Sequence, residues 1–375
     1  MKINLVKPFL LCATSSLLLG CGGGSGDTED TISSNQLSSN DFSITEKNYV
    51  TTASTFFNTA LTTALPLASI QELKLFQIRM IDQASTHSAC DISGEIITDT
   101  LKHPLSEKVV HVGDRLKSTY NDCKNASGSQ SGSKNLEVNR LEGTYESGEY
   151  VIHTDHYQDI TKSNSSNTSN NGEYNYHLPF VFGKTNNKSI ELIGINLAEL
   201  DANVVPNTNF PNADNEEIEH AEANTLASNP SHYSTPAATF NTFAFELIED
   251  NTTLDEQVKY RWKFDITNKE DANASYSMQT TQQLILEERY VDESDEEDGD
   301  NLETFALDGK FNFKMATGEI ITVEIFSPDA EVTPGTPIPP NVVVYFDNYG
   351  DGVIDAQAGM TWDEFISAMF VFFTP

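Results

Sequence analysis

The best ligand-type spacing in the chain lies near its end, in Asp347-Asn348-Tyr349-Gly350-Asp351-Gly352-Val353-Ile354-Asp355. Asp347, Asp351, Gly352, Ile354 and Asp355 fall where a calcium-binding loop carries acid, acid, turn glycine, apolar residue and acid. Hard carboxylate oxygens on so tight a turn suit calcium. Asp347, Asp351 and Asp355 are therefore the candidate ligands. Tyr349 and Ala358 stand where that loop needs its second ligand and its bidentate acid. The competing reading is a plain connection rich in turn formers.

Other chemistry-bearing residues are sparser. In His153-Thr154-Asp155-His156, strand alternation puts His153 and Asp155 on one face and His156 on the other. Two ligands on one face need a third from elsewhere. Glu216, Glu219, His220 and Glu222 would cluster if residues 212–227 form a short acidic helix, with a solvated acidic face as the simpler outcome. Gly128-Ser129-Gln130-Ser131-Gly132 has Gln130 where a nucleophilic serine would stand. Neither an HExxH pair nor a phosphate-cradling glycine loop occurs. The residues do not argue for an enzyme.

The elements that position these residues are mostly strands. Tyr49, Phe56, Phe57, Ala60, Leu61 and Leu65 recur near helical spacing, which predicts a helix over 45–64 that Pro66 stops. Residues 68–84 read as a second helix, with a strand as the alternative. From Cys90 onward, alternating segments are separated by Gly, Asn, Asp and Ser. Strands are predicted at 108–112, 115–120, 136–145, 150–160, 174–182, 189–195, 239–248, 258–266, 275–290, 304–315, 320–326 and 342–346. Short turns between them imply antiparallel neighbours. Lys162 to Gly172 and Asp292 to Asn301 read as solvated hairpin tips. Thr361 and Glu364 make a capping box. Trp362, Phe365, Ile366, Met369, Phe370 and Phe373 share the face of a helix of about 12 residues.

The predicted fold is mainly β: a curved or partly closed antiparallel sheet with an N-terminal helical segment and a short C-terminal helix. Residues 45–375 read as one body. An echo between Leu141-Glu142-Gly143-Thr144-Tyr145 and Leu307-Asp308-Gly309-Lys310-Phe311 hints at two related β units, about 90–200 and 237–346.

A net charge of −34 with only five arginines excludes nucleic acid and anionic headgroups as natural partners. It also keeps a protein soluble.

Leu18-Leu19-Gly20-Cys21 follows a basic start and an apolar run too short to span a bilayer. It resembles the lipobox of bacterial lipoproteins. The resemblance implies that residues 1–20 are a signal peptide, and that Cys21 is acylated and holds the chain at a membrane. Gly22, where Asp would favour inner-membrane retention, implies the outer membrane, with the body on its periplasmic face or at the cell surface. Two or more acyl chains give stable anchoring. Residues 21–44 have linker composition. About 20 residues of such coil span roughly 25 Å. With Cys12 removed and Cys21 acylated, export leaves Cys90 and Cys123 to form a disulfide. Closing a loop of that size contributes about 3 to 4 kcal/mol.

Cys90-Asp91-Ile92-Ser93-Gly94, Gly113-Asp114 with Tyr120-Asn121-Asp122-Cys123, Leu141-Glu142-Gly143 and the Asp347-to-Glu364 ending resemble a group of proteobacterial β-rich lipoproteins with no assigned activity. The extra Gly usual after their first Cys is missing. The reading is an outer-membrane-anchored binding or structural module with a protein or small-molecule partner. A secreted hydrolase or sugar-active enzyme, and a carrier of a hydrophobic ligand, are the alternatives. Calcium is the one cofactor the residues raise.

Overall fold

The computed structural model describes residues 44–80, 84–101, 110–126, 128–144, 149–164, 171–185, 190–200, 219–220, 231–252, 256–269, 275–290, 302–327 and 340–368. Cys21, the tether and the acidic Asp292-to-Asn301 segment lie outside them. The first described element is helix α1 (Tyr49–Met80). Seven strands follow: β1 (Ala84–Ala89), β2 (Ser93–Leu101), β3 (Arg115–Asn125), β4 (Gly128–Thr144), β5 (Glu149–Asn164), β6 (Gly172–Thr185) and β7 (Ile190–Ile195). Two short strands, β8 (Glu219–His220) and β9 (His232–Ser234), precede β10 (Ala238–Asp250), β11 (Glu256–Asn268), β12 (Tyr276–Tyr290) and β13 (Leu302–Met315). The chain continues through β14 (Ile320–Ile325), β15 (Val342–Asp347), β16 (Ala356–Met360) and helix α2 (Trp362–Ser367).

Every described pairing is antiparallel. The sheet is a continuous meander from β1 to β7, then from β10 to β16. β7 and β9 share the gap between β6 and β10, each filling one end of it. β8 adds to the end of β4.

The sheet curls around α1. That helix touches β3 and β15, which lie ten places apart in the strand order. In a flat sheet ten places span roughly 48 Å. Only a strongly curved sheet brings both to one helix. The inward residues of β11, Val258, Tyr260, Trp262, Phe264 and Ile266, alternate with polar neighbours and join a single buried cluster with α1. Within it Phe56 stacks on Tyr276 at 4.5 Å. Phe57 lies 5.4 Å from Phe311 and 5.7 Å from Trp262. Tyr49 stacks on Phe346. The sheet is partly closed: among the described residues β1 pairs only with β2, and β16 only with β15.

Helix α2 starts on the expected capping box. The Thr361 hydroxyl accepts from the Glu364 N–H at 3.2 Å, and the Glu364 carboxylate accepts from the Thr361 N–H at 2.8 Å. Trp362 and Phe365 pack against Phe57. Met369, Phe370 and Phe373 lie outside the described residues. No described helix is long and apolar enough to cross a membrane.

Several sequence expectations are corrected. Helix α1 runs through Pro66 to Met80 as one element. Proline removes one helical donor, and strong helix formers, Gln71, Glu72, Leu73, Lys74 and Leu75, follow it. Residues 110–112 are not a strand but lead into the turn at Gly113. There the Asp114 carboxylate accepts from the His111 N–H at 2.9 Å. Glu219 and His220 form strand β8 rather than part of a helix, because β4 extends past β3 and offers them free ladder groups. Strands β1, β2 and β16 carry weak apolar alternation and were not foreseen.

Candidate functional site

The turn from Asp347 to Asp355 joins β15 to β16 and is organised by one carboxylate. Asp347 Oδ1 accepts from the N–H groups of Tyr349, Gly350 and Asp351 at 3.2, 2.6 and 3.3 Å. Its Oδ2 accepts from the Gly352 N–H at 2.8 Å. Burial pushes the Asp347 carboxyl up, but those four donors outweigh it and hold it below the usual carboxylate range. Asp351 accepts from the Val353 N–H at 2.9 Å, and Asp355 from the Asn348 N–H at 2.8 Å. Gly350 has φ +66, and a Cβ there would lie 2.4 Å from the Gly318 carbonyl oxygen of the neighbouring turn, so glycine is required.

Each of the three candidate calcium ligands thus faces a backbone donor of its own turn. Among the described residues no three His, Cys, Asp or Glu side chains are grouped to hold a metal ion. Beside the exposed Asp351 and Asp355, the turn presents three apolar side chains outward: Tyr349 is 75% exposed, Val353 61% and Ile354 49%.

The alternation expected on β5 is observed. His156 is fully buried, with its ring 5.0 Å from Tyr176 and 5.9 Å from Phe180. His153 lies on the opposite face, where its Nε2 is 3.2 Å from Glu142 Oε1. Arg140 Nη2 reaches the same oxygen at 2.9 Å. Burial is the main cause that lowers the His153 pKa below its ordinary value, and Arg140 adds to it against the opposing pull of Glu142. Arg140 and His153 thus share one oxygen of Glu142 on the outer face, while Arg140 Nε is buried with no hydrogen-bond partner. Asp155 stands opposite Glu137 and Pro179 and is not part of this group. Glu219 and His220 sit opposite Leu141 and Arg140 on β8. Glu216 and Glu222 lie outside the described residues.

Sequence reasoning missed the largest electrostatic feature. On the outer face of β10 and β11, Arg261 makes two contacts of 2.6 Å to Glu246. Lys259 Nζ donates to Asp250 Oδ2 at 2.9 Å. All four residues are buried. Burial pushes the Asp250 carboxyl up, and hydrogen bonds from Thr252 and Lys259 pull it below the usual range. The signal was available: acids at 246 and 250 and bases at 259 and 261 keep one face of two adjacent strands. Beside them Val151, Val181, Leu192 and Ile248 form a second apolar cluster, against which Leu197 packs. A Cβ at Gly194 would lie 2.7 Å from the Leu197 side chain, so a larger residue there would make Leu197 shift.

Cys90 and Cys123 form the expected disulfide, with Cα atoms 5.5 Å apart, and fasten the turn before β2 to the end of β3. Comparison with known proteins finds no matching family model, no matching curated protein and no matching solved structure.

Proposed function

We propose that this chain is a lipid-anchored, non-enzymatic structural or partner-binding module of the outer membrane, tethered through acylated Cys21. The observation that carries this reading is the packing of the sheet's inner face. Phe56, Phe57 and Tyr49 of α1, with Trp362 and Phe365 of α2, occupy the space a carrier would keep for its cargo. Among the described residues Arg140 and His153 meet Glu142, Arg261 meets Glu246 and Lys259 meets Asp250, which also argues against a hydrolase. The lipobox-like Leu18-Leu19-Gly20-Cys21 supports the anchor, and the acidic body supports a position away from anionic headgroups.

Two measurements test the reading. Metabolic labelling with an alkyne fatty acid should mark the full chain and fail on Cys21→Ser; equal labelling of both would overturn the anchor. Native mass spectrometry after gentle extraction should give the mass of the acylated chain alone. A co-purified lipid beyond the anchor would favour the carrier.

A further inference from the structure

Among the described residues, the last strand of the sheet is an open edge. β16 reads Ala356-Gln357-Ala358-Gly359-Met360 and pairs with β15 in unbroken register. Its other side has no strand partner among the described residues. Edges are normally protected by lysine, proline or a bulge, and β16 has none of these. Ala356, Ala358 and Met360 pack against the core, while Gln357 and Gly359 face outward. A Cβ built on Gly359 meets nothing within 4 Å. The other edge, β1, is exposed on both faces from Ser85 to Ala89, so a strand added there would bury little.

The surroundings of β16 set the charge of what fits it. From Asp347 to Ser367, the described residues that flank it, the chain has five acids and no Lys, Arg or His. Asp351 and Asp355 lie exposed before β16, and Asp363 and Glu364 lie exposed after it. Tyr349, Val353 and Ile354 add an exposed apolar shelf at the same end, held in place by the bonds to Asp347.

We infer that the free edge of β16 takes an extended segment of a basic partner protein as an added strand. Main-chain hydrogen bonds to the edge would supply affinity, and alternate side chains would supply specificity. The segment carries apolar residues toward Ala358 and Met360 and basic residues at its ends. A second copy of this chain is the poorer occupant, because its own β16 brings the same acids. This inference rests on the partner-binding reading above.

The probe is the peptide acetyl-Lys-Lys-Val-Thr-Val-Thr-Val-Lys-Lys-amide. Fluorescence anisotropy measures its binding to the folded protein, and hydrogen exchange locates it. Binding should slow exchange at residues 356–360. Replacing the central valine with proline keeps the charge, removes one N–H and should weaken binding at least tenfold. Gly359→Lys, at an open position, should keep the melting temperature and also weaken binding at least tenfold. Gly359→Glu should bind at least as well as the wild type. Equal binding of the proline peptide would reduce the interaction to charge and overturn the inference. So would protection at β1 or no protection at all. Extra lipid in the native mass spectrum would overturn the partner-binding reading instead, so the two failures are distinguishable.

Discussion

Arg261 and Glu246 face each other across β10 and β11 and meet through two contacts of 2.6 Å, with both side chains nearly removed from solvent. The two residues are directly opposite in register. A pair so placed costs desolvation energy, and its mutual attraction offsets that cost only while both partners are present.

Removing one partner should therefore be severe. Arg261→Met strands the buried Glu246 carboxylate, and Glu246→Gln takes from Arg261 the acid it meets through two contacts; either should destabilise the fold by about 3–5 kcal/mol. The double variant Glu246→Leu with Arg261→Met should recover most of that loss. Urea unfolding of the three variants checks this. Equal destabilisation by the single and double variants would show that the pair's geometry, rather than the stranded charge, matters.

Phe57 joins the helices to the sheet, touching Trp262, Phe311, Trp362 and Phe365. Phe57→Ala should cost about 3–5 kcal/mol, as for other large-to-small changes in packed cores. Near-ultraviolet circular dichroism should weaken with it, since both tryptophans lose a ring neighbour. A change under 1 kcal/mol would mean that α1 does not fill the sheet.

The Cys90–Cys123 bond closes a loop with a sequence separation of 33. Reduction should lower stability by about 3–4 kcal/mol on the chain-entropy account. Hydrogen exchange should quicken first in β1, β2 and β3, whose residues around the bond are exposed. Uniform loss across β10 to β15 would show that the edge strands are coupled to the core more tightly than their burial implies.

Much of this architecture was legible in the residues. Strands β5, β6 and β10 to β15 show period-two alternation because one face meets the core. The Thr361 and Glu364 spacing announced α2 for an equally local reason. The disulfide followed from the expectation of export and the cysteine count. The rest depended on the tertiary structure. Pro66 looks like a stop in isolation, yet one lost donor does not end a helix whose first half is held by Phe56 and Phe57. Edge strand β1 is exposed on both faces, and β16 alternates over only five mostly small residues, so neither carries a pattern that reveals a strand. The Asp347 turn has acids at ligand spacing, but the chain folds so that backbone N–H groups claim the oxygens, an outcome set by the positive φ of Gly350 and Gly352.

Burial and Arg140 hold the His153 pKa below its unfolded value of about 6.5. The folded state thus binds that proton less readily than the unfolded chain. The stability linked to His153 is fully present above pH of about 6.5 and is lost as pH falls toward the depressed folded value. Melting temperature should decline over that interval, and His153→Gln should flatten the decline. An unchanged slope in the variant would assign it to other groups.

Asp347 gives the opposite end of the pH scale and a test of the turn itself. Its folded pKa is lowered, so its contribution is present above its unfolded value of about 3.9 and disappears as pH falls through the folded one. Asp347→Ala removes the acceptor for four N–H groups. It should lower the melting temperature at pH 7 and speed amide exchange at residues 349–352, with a smaller effect as the pH falls below the unfolded value. Because each acid of the turn already faces a backbone donor, calcium and chelator should give the wild type the same melting temperature. A rise in calcium that Asp347→Ala abolishes would show that the carboxylates can leave their N–H partners and converge on a cation.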